Sequence, residues 1–505
     1  MFWADAVAQE LKKRKLPLEW VDDMKTPSGK IHVGALRGVV VHDLAYKALL
    51  SLGVKAKYTY VFEDQDPMDG LPVYLDQNKY QQYMGLPLFK VPSPEKGYEN
   101  YARYYASDFK KVFNAIGCNP EIIWVTDLYK SGRMNDCIKQ ALDKSQEIKK
   151  IYEAMYKKQI SDPWYPFQVY CVSCGKVSTT KVTDWDGKEV TFTCNVDAVK
   201  YTKGCGFIGK ASPFSDEKEV RGKLPWKVEW PAKWKTIGIT VEGGGKDHMS
   251  AGGSYDLSSQ IAKKIFAYSP PFALPYEFFL VGGKKMSSSK GLGSSASDML
   301  EILPPELLRF LMVKTKINQA INFDPAEKDT ISTLFDEYQK AAEAYFEKTS
   351  DDLARTFELS QIDKVKKPPT VRFSVLAQWV QMPNMDLEIK KEGLEEWAKY
   401  ARIWVERFAP ESEKFVVQKE LPEQAKNLSG LQKQFLARLS SELDKNWIAE
   451  DLQKNLFEWA KELGVSSKDA FAAIYLSLIG KDHGPKAGWI ILSLDKEFVK
   501  KRFNE

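Results

Sequence analysis

The stretch from Leu18 to Phe62 constrains the fold more than any other. Leu18–Met24 is a short apolar-rich run that reads as a strand. A turn made of Thr26, Pro27, Ser28 and Gly29 follows it. Apolar residues then recur at helical spacing, at Leu36, Val40, Leu44 and Leu49, as far as Leu52. Gly53 stands where a helix C-cap glycine belongs. Val54–Phe62 is rich in β-branched and aromatic residues and reads as the next strand. A strand–loop–helix–strand unit predicts a right-handed crossover between parallel strands, and therefore an α/β domain. Ligands of such sheets bind beyond the carboxyl ends of the strands. Two segments fall there: the loop Thr26–Gly34 and the acidic turn Glu63–Asp64–Gln65–Asp66–Pro67.

With 505 residues the chain exceeds one ordinary domain. Hydrophobic residues at 44% and charged residues at 28% exclude a disordered chain. A net charge of +5 excludes a histone-like basic coat but leaves room for a local basic face toward nucleic acid. The longest apolar run, Ala470–Ile479, is about half a membrane span. The N-terminal MFWADAVAQELKKRK reads as an amphipathic helix rather than a secretory signal. A cytoplasmic protein with no membrane association is expected.

Composition shifts near Ser161, and four of the six cysteines fall between there and Lys223. This reads as a small insertion with short strands such as Glu189–Cys194. Thr236–Val241 is the next strand candidate, ending in Glu242–Gly243–Gly244–Gly245. A Gly/Ser-rich loop spans Gly282–Ser295, and beyond Pro304 segments such as Leu334–Lys348 and Leu428–Leu456 are helical in texture. The expected division is 1–160 and 226–282 for the two halves of the α/β domain, and 161–225 for the insertion. Residues 283–330 are the loop and a connecting segment, and 331–505 an all-α domain.

Three groups of residues suggest chemistry. In Pro27–Gly34, glycines allow close backbone approach, the following helix offers unpaired N–H groups, and His32 can donate to phosphate oxygens. Taken alone, this loop is equally an ordinary βα turn. Gly282–Gly291 packs Lys284, Lys285, Ser287, Ser288, Ser289 and Lys290 into ten residues, a composition that suits a triphosphate. Cys171-x2-Cys174 has zinc-knuckle spacing, and the more open pair Cys194 and Cys205 completes a set of four thiolates for one structural Zn²⁺. Cys118 and Cys137 read as core residues.

His32–Val33–Gly34–Ala35 and Lys285–Met286–Ser287–Ser288–Ser289 resemble the two signature loops of class I aminoacyl-tRNA synthetases. Four further segments resemble the class I type of lysyl-tRNA synthetase. They are Glu63–Pro67, Gly245–Lys246–Asp247–His248, Ser250–Asp256 and Gly484–Pro485–Lys486–Ala487–Gly488–Trp489. The likeness runs from about residue 18 to about residue 499. The chain departs from the pattern at Ala35, where His or Asn is usual, at Ser288, where a second lysine is usual, and at Glu63, where Asp is more common.

The resemblance implies a Rossmann-type doubly wound sheet and a helical anticodon-binding domain. It also implies activation of lysine by ATP and transfer to the 2′-hydroxyl of the terminal adenosine of lysine tRNA. ATP, Mg²⁺, L-lysine and tRNA become expected partners, and a monomer is expected. His32, Lys285, Ser287 and Ser288 are the implied catalytic residues. Ser28, Gly29, His32, Gly34, Gly245, Asp247, Lys285 and Met286 would bind ATP, and Asp64, Asp66, Trp226 and His248 lysine. Lys486 and Trp489 would meet phosphates or stacked bases. The nearest enzyme alternative is a class I synthetase for another amino acid, arginine above all. A non-catalytic tRNA-binding paralogue is the other, and intact His32, Lys285 and Asp247 argue against it.

Overall fold

The computed structural model describes residues 1–283, 295–327, 329–349 and 351–505. They form two compact units. The first comprises Met1–Glu301, Pro305–Phe323 and Ala344–Val365; the second Ile302–Pro304, Asp324–Glu343 and Lys366–Glu505.

The first unit is built on five parallel strands: β1 (Glu19–Lys25), β2 (Ala56–Phe62), β3 (Glu121–Trp124), β4 (Val241–Gly245) and β5 (Phe272–Tyr276). Their order in the sheet is β5-β4-β1-β2-β3. The chain thus builds outward from β1 in one direction and later returns to build outward in the other. That reversal is the doubly wound, Rossmann-type arrangement, and it leaves a crevice between the carboxyl ends of β1 and β4.

The sequence-derived unit lies within two residues of its expected bounds. β1 and β2 flank the helix Gly34–Ser51. That helix buries Leu36, Val39, Val40, Leu44 and Leu49, and its other buried positions include Arg37, His42 and Asp43. It ends in a Schellman motif: Gly53 takes φ +72°, its N–H bonds the Leu50 carbonyl, and the Val54 N–H reaches back to Leu49. The N-terminal helix Trp3–Lys13 packs its Ala4, Ala8 and Leu11 face against it.

One strand differs from expectation. Thr236–Val241 was the candidate, with glycines closing it; instead Trp234–Gly238 forms a π-helical turn and the glycines themselves form β4. The cause is local packing. The buried Trp234 indole donates to Glu242 Oε2 (2.9 Å), which fixes the turn. The Gly243 N–H donates to His42 Nε2 (2.8 Å), an approach that a side chain at Gly243 would block.

The insertion is a three-stranded antiparallel sheet of Thr180–Trp185, Val190–Cys194 and Ile208–Ala211. In the second unit the elements are helical. Leu428–Leu456 divides into Gly430–Glu442, opened by a Ser429/Gln432 capping box, and the start of Ala449–Glu462. The apolar run Ala470–Ile479 lies in the mostly buried helix Ser467–Ile479, and among the described residues no helix is long and apolar enough to cross a membrane. In the Gly484–Trp489 motif both glycines are contact points. A Cβ on Gly484 would lie 2.8 Å from Tyr475, and one on Gly488 would press into the Ala449 backbone.

Candidate active site at the strand-order reversal

A cavity of about 500 Å³ opens at the crevice between β1 and β4. Its walls come from the ends of β1, β2, β4 and β5, from the loop after β1, and from the helix Trp226–Lys233. Of the residues expected from sequence, His32, Gly34, Asp66, Trp226, Gly245, Asp247 and His248 line it. Ser28, Gly29 and Asp64 do not. Lys285, Met286, Ser287 and Ser288 lie outside the described residues.

The phosphate side is the loop that enters helix Gly34–Ser51. No side chain caps that helix N-terminus; the Ala35 and Leu36 N–H groups bond the His32 and Val33 carbonyls (3.0 and 2.9 Å), and the helix start carries its partial positive charge. A Cβ on Gly34 would stand 2.9 Å from His32 Nδ1, so only glycine lets the ring lie over the helix start. Opposite, the Gly245 backbone approaches Asp247 Oδ1 and the Phe278 ring so closely that a Cβ would meet them at 2.9 and 3.3 Å.

The deeper half is acidic. Asp23, Glu63, Asp66, Glu242 and Asp247 face the cavity, together with Lys25 and Lys233. Asp23 is buried; its Oδ1 accepts the Met24 N–H (2.8 Å), while Oδ2 has no hydrogen-bond partner among the described residues. Burial holds its carboxyl above the usual range, opposed by His42 at 3.6 Å. Burial also pushes Glu242 well up, reinforced by Asp22 and Asp23; Asp22 is its register partner on β1. Lys233 pairs with Glu63, yet burial lowers its ammonium to about 8 against the pull of Asp22 and Glu242. Asp66 is engaged on both oxygens, by Lys223 at 2.5 Å and by the Thr26 hydroxyl at 2.6 Å.

Asp64 points elsewhere. Its Oδ1 accepts the Thr126 N–H (2.9 Å), and burial raises it to about 6. Trp226 is half exposed at the rim, edge-on to His248 with ring centroids 5.6 Å apart. Trp230 also lines the cavity and is nearly buried, and its indole N–H has no partner among the described residues. Asp23, Lys233, Glu242 and Tyr276 were not singled out from sequence. The available signal was an Asp22–Asp23 pair in the middle of a strand, since buried acids in a strand need a reason.

The four insertion cysteines come together. Their Sγ atoms all lie within 4.8 Å of one another, with Cys171–Cys205 at 3.6 Å and Cys174–Cys194 at 3.7 Å. A tetrahedral Zn²⁺ with bonds of about 2.3 Å sets sulfurs roughly 3.8 Å apart, so the donor set fits that ion. The Gly175 N–H bonds the Cys171 carbonyl (2.7 Å), a tight turn across the first pair, and the Gly206 N–H bonds the Cys194 carbonyl (2.9 Å), which joins the two chain segments of the second.

Comparison with known proteins agrees with this architecture. A family profile described as tRNA synthetases class I (K) matches residues 1–363, and one described as an anticodon binding domain matches residues 387–505. Lysine–tRNA ligase 1 of Methanosarcina acetivorans is 35% identical, with 100% of this chain and 98% of that protein aligned. Lysine–tRNA ligase of Methanosarcina barkeri is also 35% identical, over 100% of this chain and 97% of that protein. Among solved structures, a glutamate-tRNA synthetase from Elizabethkingia anophelis aligns over 96% of this chain and 99% of its own, at 12% identity and a TM-score of 0.49. The profile and the full-length relatives establish that the chain belongs to the lysyl type of class I tRNA synthetases.

Proposed function

We propose that the chain activates L-lysine with ATP and transfers it to lysine tRNA. The observation that carries this reading is one cavity, in a chain of this family, with a phosphate-suited loop on one side and buried carboxylates on the other. An ammonium is the ligand such carboxylates accept at least cost, because it supplies the missing charge partner. Asp23 and Glu242 are therefore added to Asp66, Trp226 and His248 as the lysine-binding set. Asp64, which does not line the cavity and accepts the Thr126 N–H instead, is left out of it.

In this reading the ATP phosphates lie along His32 and Gly34 at the cavity wall and reach Ser28 and Gly29 in the same loop just outside it, and Asp247 accepts a ribose hydroxyl beside Gly245. A lysine carboxylate oxygen attacks the α-phosphorus, a P–O bond forms, and the bond to the bridging oxygen breaks to release pyrophosphate. No protein nucleophile is needed; the residues position the reactants and stabilise charge. His32 donates to phosphate oxygens; Lys285, with Ser287 and Ser288, supplies positive charge and hydroxyl donors for the departing pyrophosphate, and Met286 belongs to the same ATP-binding segment. Mg²⁺ travels with the nucleotide and neutralises phosphate charge. The terminal ribose 2′-hydroxyl then attacks the lysyl carbonyl and AMP leaves. The helical unit receives the tRNA, with Lys486 (Nζ 4.9 Å from the Trp489 ring centre) and Trp489 on its surface. Cys171, Cys174, Cys194 and Cys205 hold one Zn²⁺ that supports the insertion.

ATP–pyrophosphate exchange with each of the twenty amino acids tests the assignment. Lysine alone should support exchange; exchange with arginine instead, or with none, overturns it. Lys285→Ala should slow adenylate formation by about 10²–10³ with little change in ATP affinity. Metal analysis should find zinc in the purified protein, lost in Cys171→Ser; a metal-free, fully active protein removes the zinc site.

A further inference from the structure

Three packed tyrosines form a series against the loop after β1, with a hydrogen bond to the loop backbone at each end. The Lys30 backbone N–H donates to Tyr74 Oη (2.5 Å), and the Tyr101 hydroxyl donates to the Ser28 carbonyl (2.9 Å). Between them, the Tyr105 ring packs on both Tyr74 and Tyr101. The rings are packed accordingly, Tyr101 on Tyr105 at 4.7 Å and Tyr74 on Tyr105 at 6.3 Å. Tyr101 and Tyr105 are buried, and burial raises all three hydroxyls, so they stay protonated donors. The series closes on two backbone groups only two residues apart, Ser28 and Lys30. It therefore fixes the peptide planes of the turn rather than any side chain.

The same helix, Tyr101–Ala115, makes a second connection. Asp108 Oδ2 accepts the Ser297 hydroxyl (3.2 Å), just beyond the Gly/Ser-rich loop. Tyr101, Tyr105 and Asp108 follow at intervals of four and three, so they share one helix face. The adjacent backbone is joined as well: the Ala296 N–H donates to the Ile31 carbonyl (2.9 Å), and His32 bridges Ser295. One helix thus touches the loop after β1 and the residue just beyond the Gly/Ser-rich loop.

We infer that Tyr74, Tyr105 and Tyr101 are positioning residues, a brace that presets the backbone of residues 28–31 for the polyphosphate of ATP. This rests on the nucleotide reading of the loop. Pre-ordering a binding segment lowers the entropy lost when the ligand docks, so the brace acts on nucleotide and not on amino acid.

The test uses the full-length protein with Tyr74→Phe, Tyr101→Phe, the double variant, and Tyr98→Phe as a control outside the series. Amide hydrogen exchange at residues 28–32 should quicken in both single variants at an unchanged thermal midpoint. That readout needs no activity, so it judges the brace even if the wild type fails to charge lysine, which would sink the functional reading separately. In pyrophosphate exchange, each single variant should raise the KM for ATP by about tenfold with the KM for lysine unchanged, as for loss of one hydrogen bond at a positioned site. The double variant should be no worse than the poorer single, because both break one series. Tyr74 is partly exposed, so its variant retains the fold even if Tyr101→Phe does not. Unchanged exchange at residues 28–32, or equal rises in both KM values, overturns the inference.

Discussion

The two units each hold a cavity, and the two are built on opposite rules. The cavity at the β1/β4 reversal is surrounded by polar groups left incomplete: Asp23 Oδ2 and the Trp230 indole N–H have no partner among the described residues, and Asp23 and Glu242 carry raised carboxyls. The second unit has a cavity of about 290 Å³ lined by Phe373, Trp404 and Phe415, and several of its polar groups are already used. Gln381 donates to the Ala377 and Glu413 carbonyls (2.9 and 3.1 Å) and accepts the Phe415 N–H (3.0 Å). Lys481 donates to the carbonyls of Glu411 and Lys414, both at 2.6 Å. His483 bonds Asp482 and the Ser412 carbonyl. Burying an unpaired polar group is costly, and a fold tolerates it where a ligand later supplies the partner. The first cavity is thus made to be completed, whereas the second holds its own loop in place.

The sharpest way to break this contrast is to remove an incomplete charge. Asp23→Asn should raise the KM for lysine by about 10²–10³, the loss expected when a buried ammonium is denied its carboxylate, while the KM for ATP changes little. Steady-state pyrophosphate exchange reads both constants, and parallel changes would show Asp23 to be merely structural.

A smaller effect separates buried charge that awaits a ligand from buried charge that does not. Asp64 is buried outside the cavity and raised to about 6 in the folded protein, by burial first, against 3.8 ordinarily. The folded state therefore binds this proton more tightly than the unfolded chain. Its contribution to stability is complete below about pH 4 and lost as pH rises through 6, a swing of up to about 3 kcal/mol. Asp64→Asn should lose that part of the pH dependence when denaturant unfolding is compared near pH 4.5 and pH 7.5. Its KM for lysine should stay within about threefold of wild type; a larger rise would return Asp64 to the lysine pocket.

The smallest effect falls on the satisfied cavity. Gln381→Leu strands the Phe415 N–H and two carbonyls, which should cost about 1–3 kcal/mol of stability. Both KM values in pyrophosphate exchange should be unaffected. A KM shift without loss of stability would mean that this cavity, too, serves a ligand.

What the sequence could disclose follows from the range of the forces involved. The first crossover unit is set by local periodicity and a C-cap glycine, and it lies within two residues of expectation. The cysteine cluster is legible because thiol spacing is local chemistry. β4 was misplaced because its glycines are strand residues only in the presence of the His42 ring, two hundred positions away in the chain. The acidic turn shows the same limit at finer scale. These carboxylates follow the end of β2, so strand alternation does not set their direction: Glu63 and Asp66 face the cavity, whereas Asp64, two residues before Asp66, bonds the Thr126 N–H instead. Composition alone could not make that distinction. Lys233 and Glu242 were invisible for a related reason, since their burial depends on which strand lies beside β1.

The strand-order reversal also has a consequence for the protein's birth on the ribosome. β1 pairs on one side with β2, made soon after it, but its other edge waits for β4; the contact of Trp20 with Thr240 spans 220 positions. At synthesis rates of roughly 5–20 residues per second, that edge stays open for about 10–40 s. During this interval the buried acids of β1 still face water, and Asp22 has no Glu242 beside it. A half-made chain therefore presents an unpaired strand bearing three carboxylates, Glu19, Asp22 and Asp23, and inward-pointing charge is a known deterrent to edge-to-edge aggregation. Asp23, which awaits a ligand in the finished enzyme, would tens of seconds earlier have helped keep the nascent sheet from finding the wrong neighbour.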